Sequence, residues 1–115
     1  MKAMQQAQQL DRLFLALADP SRRGMIEQLA RGPATVKALA RPANMGLPSA
    51  VKHLKVLEEG GIAVSSKVGR IRTYTMRPDA FLAVNTWLQE REAALNAAFD
   101  RLVQAIADMP EETDP

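Results

Sequence analysis

The segment Met45-Gly-Leu-Pro-Ser-Ala-Val-Lys-His-Leu-Lys-Val-Leu-Glu-Glu-Gly-Gly-Ile62 constrains this chain more than any other. It predicts one helix, starting near Leu47-Pro48 and running to Glu59. Ala50, Leu54 and Leu57 would form its buried stripe, with Val51 beside them. Gly60-Gly61 ends it, one glycine taking the left-handed cap position. The opposite side carries Ser49, Lys52 and His53, with Lys55 further along. Directly behind come two β-rich runs flanking Gly69, Ile62 to Met76, which read as a hairpin. Few small folds need an amphipathic helix with a small, basic outer side and a basic hairpin at its heel.

The flanking pattern supplies the rest. Leu10, Leu13, Phe14 and Leu17 fall at i, i+3, i+4 and i+7, one face of a first helix from about 5 to 18. Asp19-Pro20 stops it and starts a second, with Asp19 as cap and Pro20 at the first helical position. Met25, Ile26 and Leu29 point inward, and Gly32-Pro33 ends this helix. Thr35 caps a short third helix from Val36 to about Arg41. Pro42 to Gly46 form the turn after it, with Asn44 and Gly46 suited to turn dihedrals. In the returning strand of the hairpin Arg70, Arg72, Tyr74 and Met76 share one face. A long last helix, about 79 to 108, repeats Phe81, Leu88, Leu95, Leu102 and Met109 every seven residues, the spacing of a seam against another helix. An acidic tail follows, 110 to 115. The order α-α-α-α-β-β-α, mainly helical with a two-stranded β-wing, is the winged helix-turn-helix arrangement.

At 115 residues, this is one domain, 1 to 115, whose small core invites completion by a second copy. The expected dimer contacts are Leu10, Leu13 and Phe14 on the first helix and Trp87, Leu88, Leu95, Phe99 and Leu102 on the last. Trp87 has a second reading, as the wall of a ligand pocket between helices. No apolar run has the length of a membrane span and no secretory leader is visible, so a cytoplasmic location is expected. The chain has no cysteine and one histidine, which removes disulfides, thiolate chemistry and the usual clustered metal sites. No cofactor is expected. No nucleophile–base pair or phosphate loop is present, so no enzyme is expected.

Charge separates along the chain. Pro20 to Arg77 hold eleven bases and three acids, a net +8, while the remainder holds four bases and ten acids, a net −6. A basic centre between acidic ends fits a polyanionic partner for the centre alone, or an ordinary solvated surface. Ser49, Ala50, Lys52, His53 and Lys55 are the candidate base and backbone contacts of the central helix, and Lys67, Arg70 and Arg72 those of the hairpin. Each has a plainer alternative. His53 can serve in structural hydrogen bonding, the hairpin cations can discourage edge-to-edge pairing, and Arg22 and Arg23 fit phosphate contacts or salt bridges equally well.

Three stretches together, Leu17-Ala-Asp-Pro-Ser-Arg-Arg23, Leu47 to Ile62, and Val68-Gly-Arg-Ile-Arg-Thr-Tyr74, resemble the ArsR/SmtB family of bacterial regulators. The resemblance runs from about Leu10 to Asp108. It implies a homodimeric winged-helix repressor on a pseudo-palindromic stretch of double-stranded DNA, dimerised through its first and last helices. Many members sense metals through cysteines of the third helix, or through Asp and His on the last. Here the third helix reads Val36-Lys-Ala-Leu-Ala-Arg41 and the last has no histidine, so the likeness is to the metal-independent branch. Position 51 is Val where many relatives have Ser. The resemblance leaves room for a small-molecule effector between the first and last helices. A winged-helix module for protein interaction, without specific DNA binding, is the competing expectation.

Overall fold

A computed structural model describes residues 2–111. Its elements are helix α1 (Lys2–Leu17), helix α2 (Pro20–Arg31), strand β1 (Ala34–Thr35), helix α3 (Val36–Ala40), helix α4 (Leu47–Glu59), strands β2 (Ala63–Val68) and β3 (Ile71–Met76), and helix α5 (Leu82–Ala107). The chain divides into two compact units, one up to Val84 and one from Asn85. Glu112 to Pro115, most of the expected acidic tail, lie outside the described residues.

The junctions of the first unit are written into its sequence. The Asp19 carboxylate accepts the amides of Ser21 and Arg22 at 2.8 and 3.2 Å, so α2 begins there, with Pro20 in its first turn. The C-terminus of α1 has no basic residue in its own last turn. Its open carbonyls are met from α2 instead. Arg22 donates through Nε to Ala16 and through Nη2 to Leu15, at 2.9 and 2.7 Å, and Arg23 donates to Leu17 at 2.7 Å. In the free chain both arginines cap a neighbouring helix, and neither stands in the ion pairs found among the described residues. Thr35 caps α3 by accepting from Ala38, and Gln28 ties α2 to the Ala38 carbonyl.

At the end of α4, Gly61 sits at φ 74 while the amides of Gly61 and Ile62 donate to Glu58 and Leu57, both at 3.0 Å. This is a Schellman closure with Gly61 as its left-handed residue. Asn44 is also left-handed, at φ 50, in the turn between α3 and α4, the one non-glycine residue among the described residues to be so. Gly46 is extended rather than turned, and begins α4 as its N-cap.

Leu13, Met25, Leu39, Leu54, Leu57 and Ile62 are the largest fully buried side chains, drawn from all four helices of this unit and the entry to β2. The hairpin is joined by a strand that the sequence does not announce. β1 pairs with β3, Ala34 opposite Tyr74 and Thr35 opposite Thr73, giving a three-stranded antiparallel sheet in the order β1-β3-β2. Tyr74 and Ala63 are buried at its root.

Three expectations change. α1 starts at Lys2 rather than about residue 5, its glutamine-rich start being a good helix former. α5 starts at Leu82 rather than 79, because Ala80 and Leu82 donate in turns to Arg77 and Asp79, and Ala80 and Phe81 are pulled onto the core of the first unit. Leu13, expected at a dimer contact, is 2% exposed within a single chain and is unavailable to a partner. Leu10 and Trp87 are half-buried, and Phe14, Leu88, Leu95, Phe99 and Leu102 are exposed. Over α5 the cationic head of Arg91 lies 5.3 Å from the Trp87 ring centre, one helical turn on. Among the described residues, no helix is long and apolar enough to cross a membrane, and no group of His, Cys, Asp and Glu is placed to hold a metal ion.

Candidate nucleic-acid interface

Burial sorts the residues of α4. Ala50, Leu54 and Leu57 are fully buried against α1, α2 and α3. Ala50 was expected both in this stripe and at the DNA. At 0% exposure it serves the core alone, because the methyl faces inward and leaves no surface to offer. Ser49, Lys52 and Lys55 are exposed, and His53 is half-buried at the edge of the stripe. Val51 is the reverse of its expected place. It is 49% exposed, and Leu47, one turn earlier, is also exposed. At about 100° per residue, position 51 lies a quarter turn from Ala50, far enough to leave the core. Val51 and Leu47 thus put apolar side chains on the outward half of α4, beside Ser49 and Lys52. That angle was the available signal for it. No side chain caps the N-terminus of α4.

The hairpin continues the basic surface by a different construction. Gly69 stands at φ 63 as the first of two loop residues and Arg70 is the second, the order that matches strand twist in a tight hairpin. Lys67 is directly opposite Arg72 in the register, and Val68 is opposite Ile71. All five of Lys67, Val68, Arg70, Ile71 and Arg72 are exposed, Val68 at 79%. Arg72 donates to the Ser65 hydroxyl at 2.8 Å, which steadies it along the strand. Two like charges facing each other across strands cost stability. No acid lies between Ser65 and Arg77 to offset this cost. The ion pairs among the described residues, Arg77 with Asp79 and Arg91 with Glu90, leave these cations untouched.

His53 meets Arg22, Nη1 to Nδ1 at 3.2 Å. Nearby, burial works against the charge of Asp19 but is outweighed by the amides of Arg22 and Ser21, and then by the Arg22 guanidinium and the His53 ring, so its carboxyl titrates below the ordinary value. At the hairpin root, burial raises the Tyr74 hydroxyl above its usual range. Glu58 adds to the rise and Arg72 opposes it.

A family model described as a helix-turn-helix domain matches residues 17–65, from the end of α1 into β2. The chain is 33% identical over 98 residues to the HTH-type transcriptional regulator Rv2034 of Mycobacterium tuberculosis, covering 85% of this chain and 92% of the relative. A crystal structure of an ArsR family transcriptional regulator is 44% identical and superposes with a TM-score of 0.74, over 78% of this chain and 93% of that one. A homodimeric winged helix-turn-helix DNA-binding domain from Mycobacterium bovis, solved by NMR and described as a possible ArsR-family regulator, is 27% identical with a TM-score of 0.63, over 81% and 87% of the two chains. With its sequence, its fold and its reading surface pointing the same way, the chain belongs to the ArsR family of winged helix-turn-helix transcription regulators.

Proposed function

We propose that this protein is a homodimeric, sequence-specific DNA-binding repressor of the metal-independent kind. The observation that carries the reading is the hairpin tip. Lys67 and Arg72 face each other with Arg70 beside them and no acid on either strand, an arrangement that gains most from an external polyanion. α4 enters the major groove, with Ser49, Val51, Lys52 and His53 toward base edges and Lys55 toward the backbone. The wing follows the flanking backbone through Lys67, Arg70 and Arg72. Dimerisation places two such heads on a pseudo-palindromic operator, half-sites about one helical turn or a multiple apart, roughly 10 base pairs per turn. Occupancy of the operator excludes other proteins from the promoter, so binding alone is enough for repression. With no cysteine and one histidine in the chain, the protein has no use for a thiolate metal switch.

Selection of bound duplexes from random DNA tests this. An enriched inverted repeat is the expected result. No enrichment from a folded dimer at low salt would overturn it and favour a protein-interaction module.

A further inference from the structure

His53 is the one histidine of the chain, and its ring borders the outward side of α4. Arg22 of α2 meets it from behind, Nη1 to Nδ1 at 3.2 Å. A guanidinium has donors and no acceptor, so the ring nitrogen that faces it accepts. A neutral imidazole accepting at Nδ1 carries its proton at Nε2. Arg22 is in turn held by the α1 carbonyls of Ala16 and Leu15, at 2.9 and 2.7 Å, while its amide is held by Asp19. These anchors leave the planar guanidinium little choice of orientation.

We propose that Arg22 is a positioning residue for base reading. It locks His53 in one orientation as the Nε2–H tautomer, and the ring then presents a single donor to a base-edge acceptor in the major groove, a purine N7 or a keto oxygen. The inference rests on α4 being the DNA-reading helix. A phosphate oxygen has no need of such an arrangement, since any loose cation on the helix serves it. A base edge does need it, because one-donor recognition depends on which nitrogen carries the proton and where it points. A side chain occupied with the end of α1 thus sets the preference at one base pair of each half-site.

The test uses the full-length protein with Arg22→Lys, His53→Ala and the double variant. Lysine keeps the charge and one donor to an α1 carbonyl but lacks the fork. Each protein is taken through duplex selection, then titrated against the operator and its single-base variants at several salt concentrations. Arg22→Lys and His53→Ala relax the same base position about three- to tenfold, the size of one lost hydrogen bond. The double variant relaxes it no further, and Arg22→Lys keeps the wild-type salt slope. The 15N spectrum of the single histidine ring in the free wild type shows Nε2 protonated and Nδ1 accepting. Arg22→Lys moves it toward mixed tautomers. A wild-type ring protonated at Nδ1 overturns the proposal whatever the folding of the variants. So does a lowered salt slope with uniform loss of affinity in Arg22→Lys, which would place Arg22 on phosphate, or relaxation at different positions. If the wild type enriches no sequence, the DNA reading itself fails, and the ring spectrum still decides separately whether Arg22 fixes the tautomer.

Discussion

Gly60 has no side chain because there is no room for one. A Cβ there would stand 3.1 Å from the Arg12 carbonyl oxygen and 3.1 Å from the Ala16 Cβ, both on α1, so the end of α4 lies directly against that helix. Helix backbone cannot retreat as a flexible side chain can, and Gly60→Ala is expected to lower unfolding free energy by about 1–3 kcal/mol in chemical denaturation. Gly61→Ala acts mainly through its left-handed backbone, at about 1 kcal/mol, since the Gln9 side-chain end that a Cβ would meet at 2.9 Å can swing away. The Gly-Gly pair was legible as a helix stop with one left-handed glycine, because that follows from local chain geometry, and the structure shows that glycine to be Gly61. The close approach at Gly60 was not legible, since it depends on a helix more than forty residues away. Val51 is a different case. Its angle from the Ala50, Leu54 and Leu57 stripe is readable in the sequence and already sets it off the core. Asp19 adds a pH dependence of definite sign. Its carboxyl is depressed in the folded state, so its contribution is fully present above the ordinary value of 3.8 and is lost as pH falls below it. Asp19→Asn, which keeps the capping oxygen, is expected to flatten this acid limb of the thermal stability profile, measured by circular dichroism.

The helix α4 and the wing are expected to make separable contributions to binding. Lys52→Ala is expected to weaken binding to the selected operator by about 1–3 kcal/mol and to leave random duplexes nearly unaffected. Arg70→Ala is expected to weaken binding to all duplexes alike and to lower the salt slope by about 1 per protomer. Titrations on both kinds of duplex across salt separate the two. α4 was legible in the sequence, its start near Leu47-Pro48 and its end at Glu59, because both of its ends are marked locally, by Leu47-Pro48 and by Gly60-Gly61. The strand β1 was missed because two residues carry no periodicity. Ala34 and Thr35 become a strand only through Tyr74 and Thr73, some forty positions later. The roles of Arg22 and Arg23 were missed although their partners are near in sequence, because the tight turn at Asp19-Pro20 folds the start of α2 back onto the end of α1, and only that turn geometry aims the guanidinium groups at the α1 carbonyls.

The molecule as a whole is unfinished as a single copy. Leu88, Leu95, Phe99, Leu102, Val103 and Ile106 all stand exposed along α5, with Leu95 at 70%. That much apolar side chain on one helix is expected to be covered by a second subunit. Leu95→Glu is expected to shift the protein toward monomer in sedimentation velocity and to cut operator affinity at least tenfold. A dimeric Leu95→Glu with unchanged affinity would place the dimer contact elsewhere. Within the first unit, β1 has a further consequence. Thr35 caps α3 with its side chain while its backbone is laddered to β3, so the short helix before the reading turn and the strand behind it share one residue. If α4 and the wing bind DNA as proposed, this shared residue couples them, and the interval from groove to flank is expected to vary little. When a duplex does not match that interval, the DNA must flex. Stiff and pliable flanking steps would then be sorted by their bending energy, at base pairs the protein never touches.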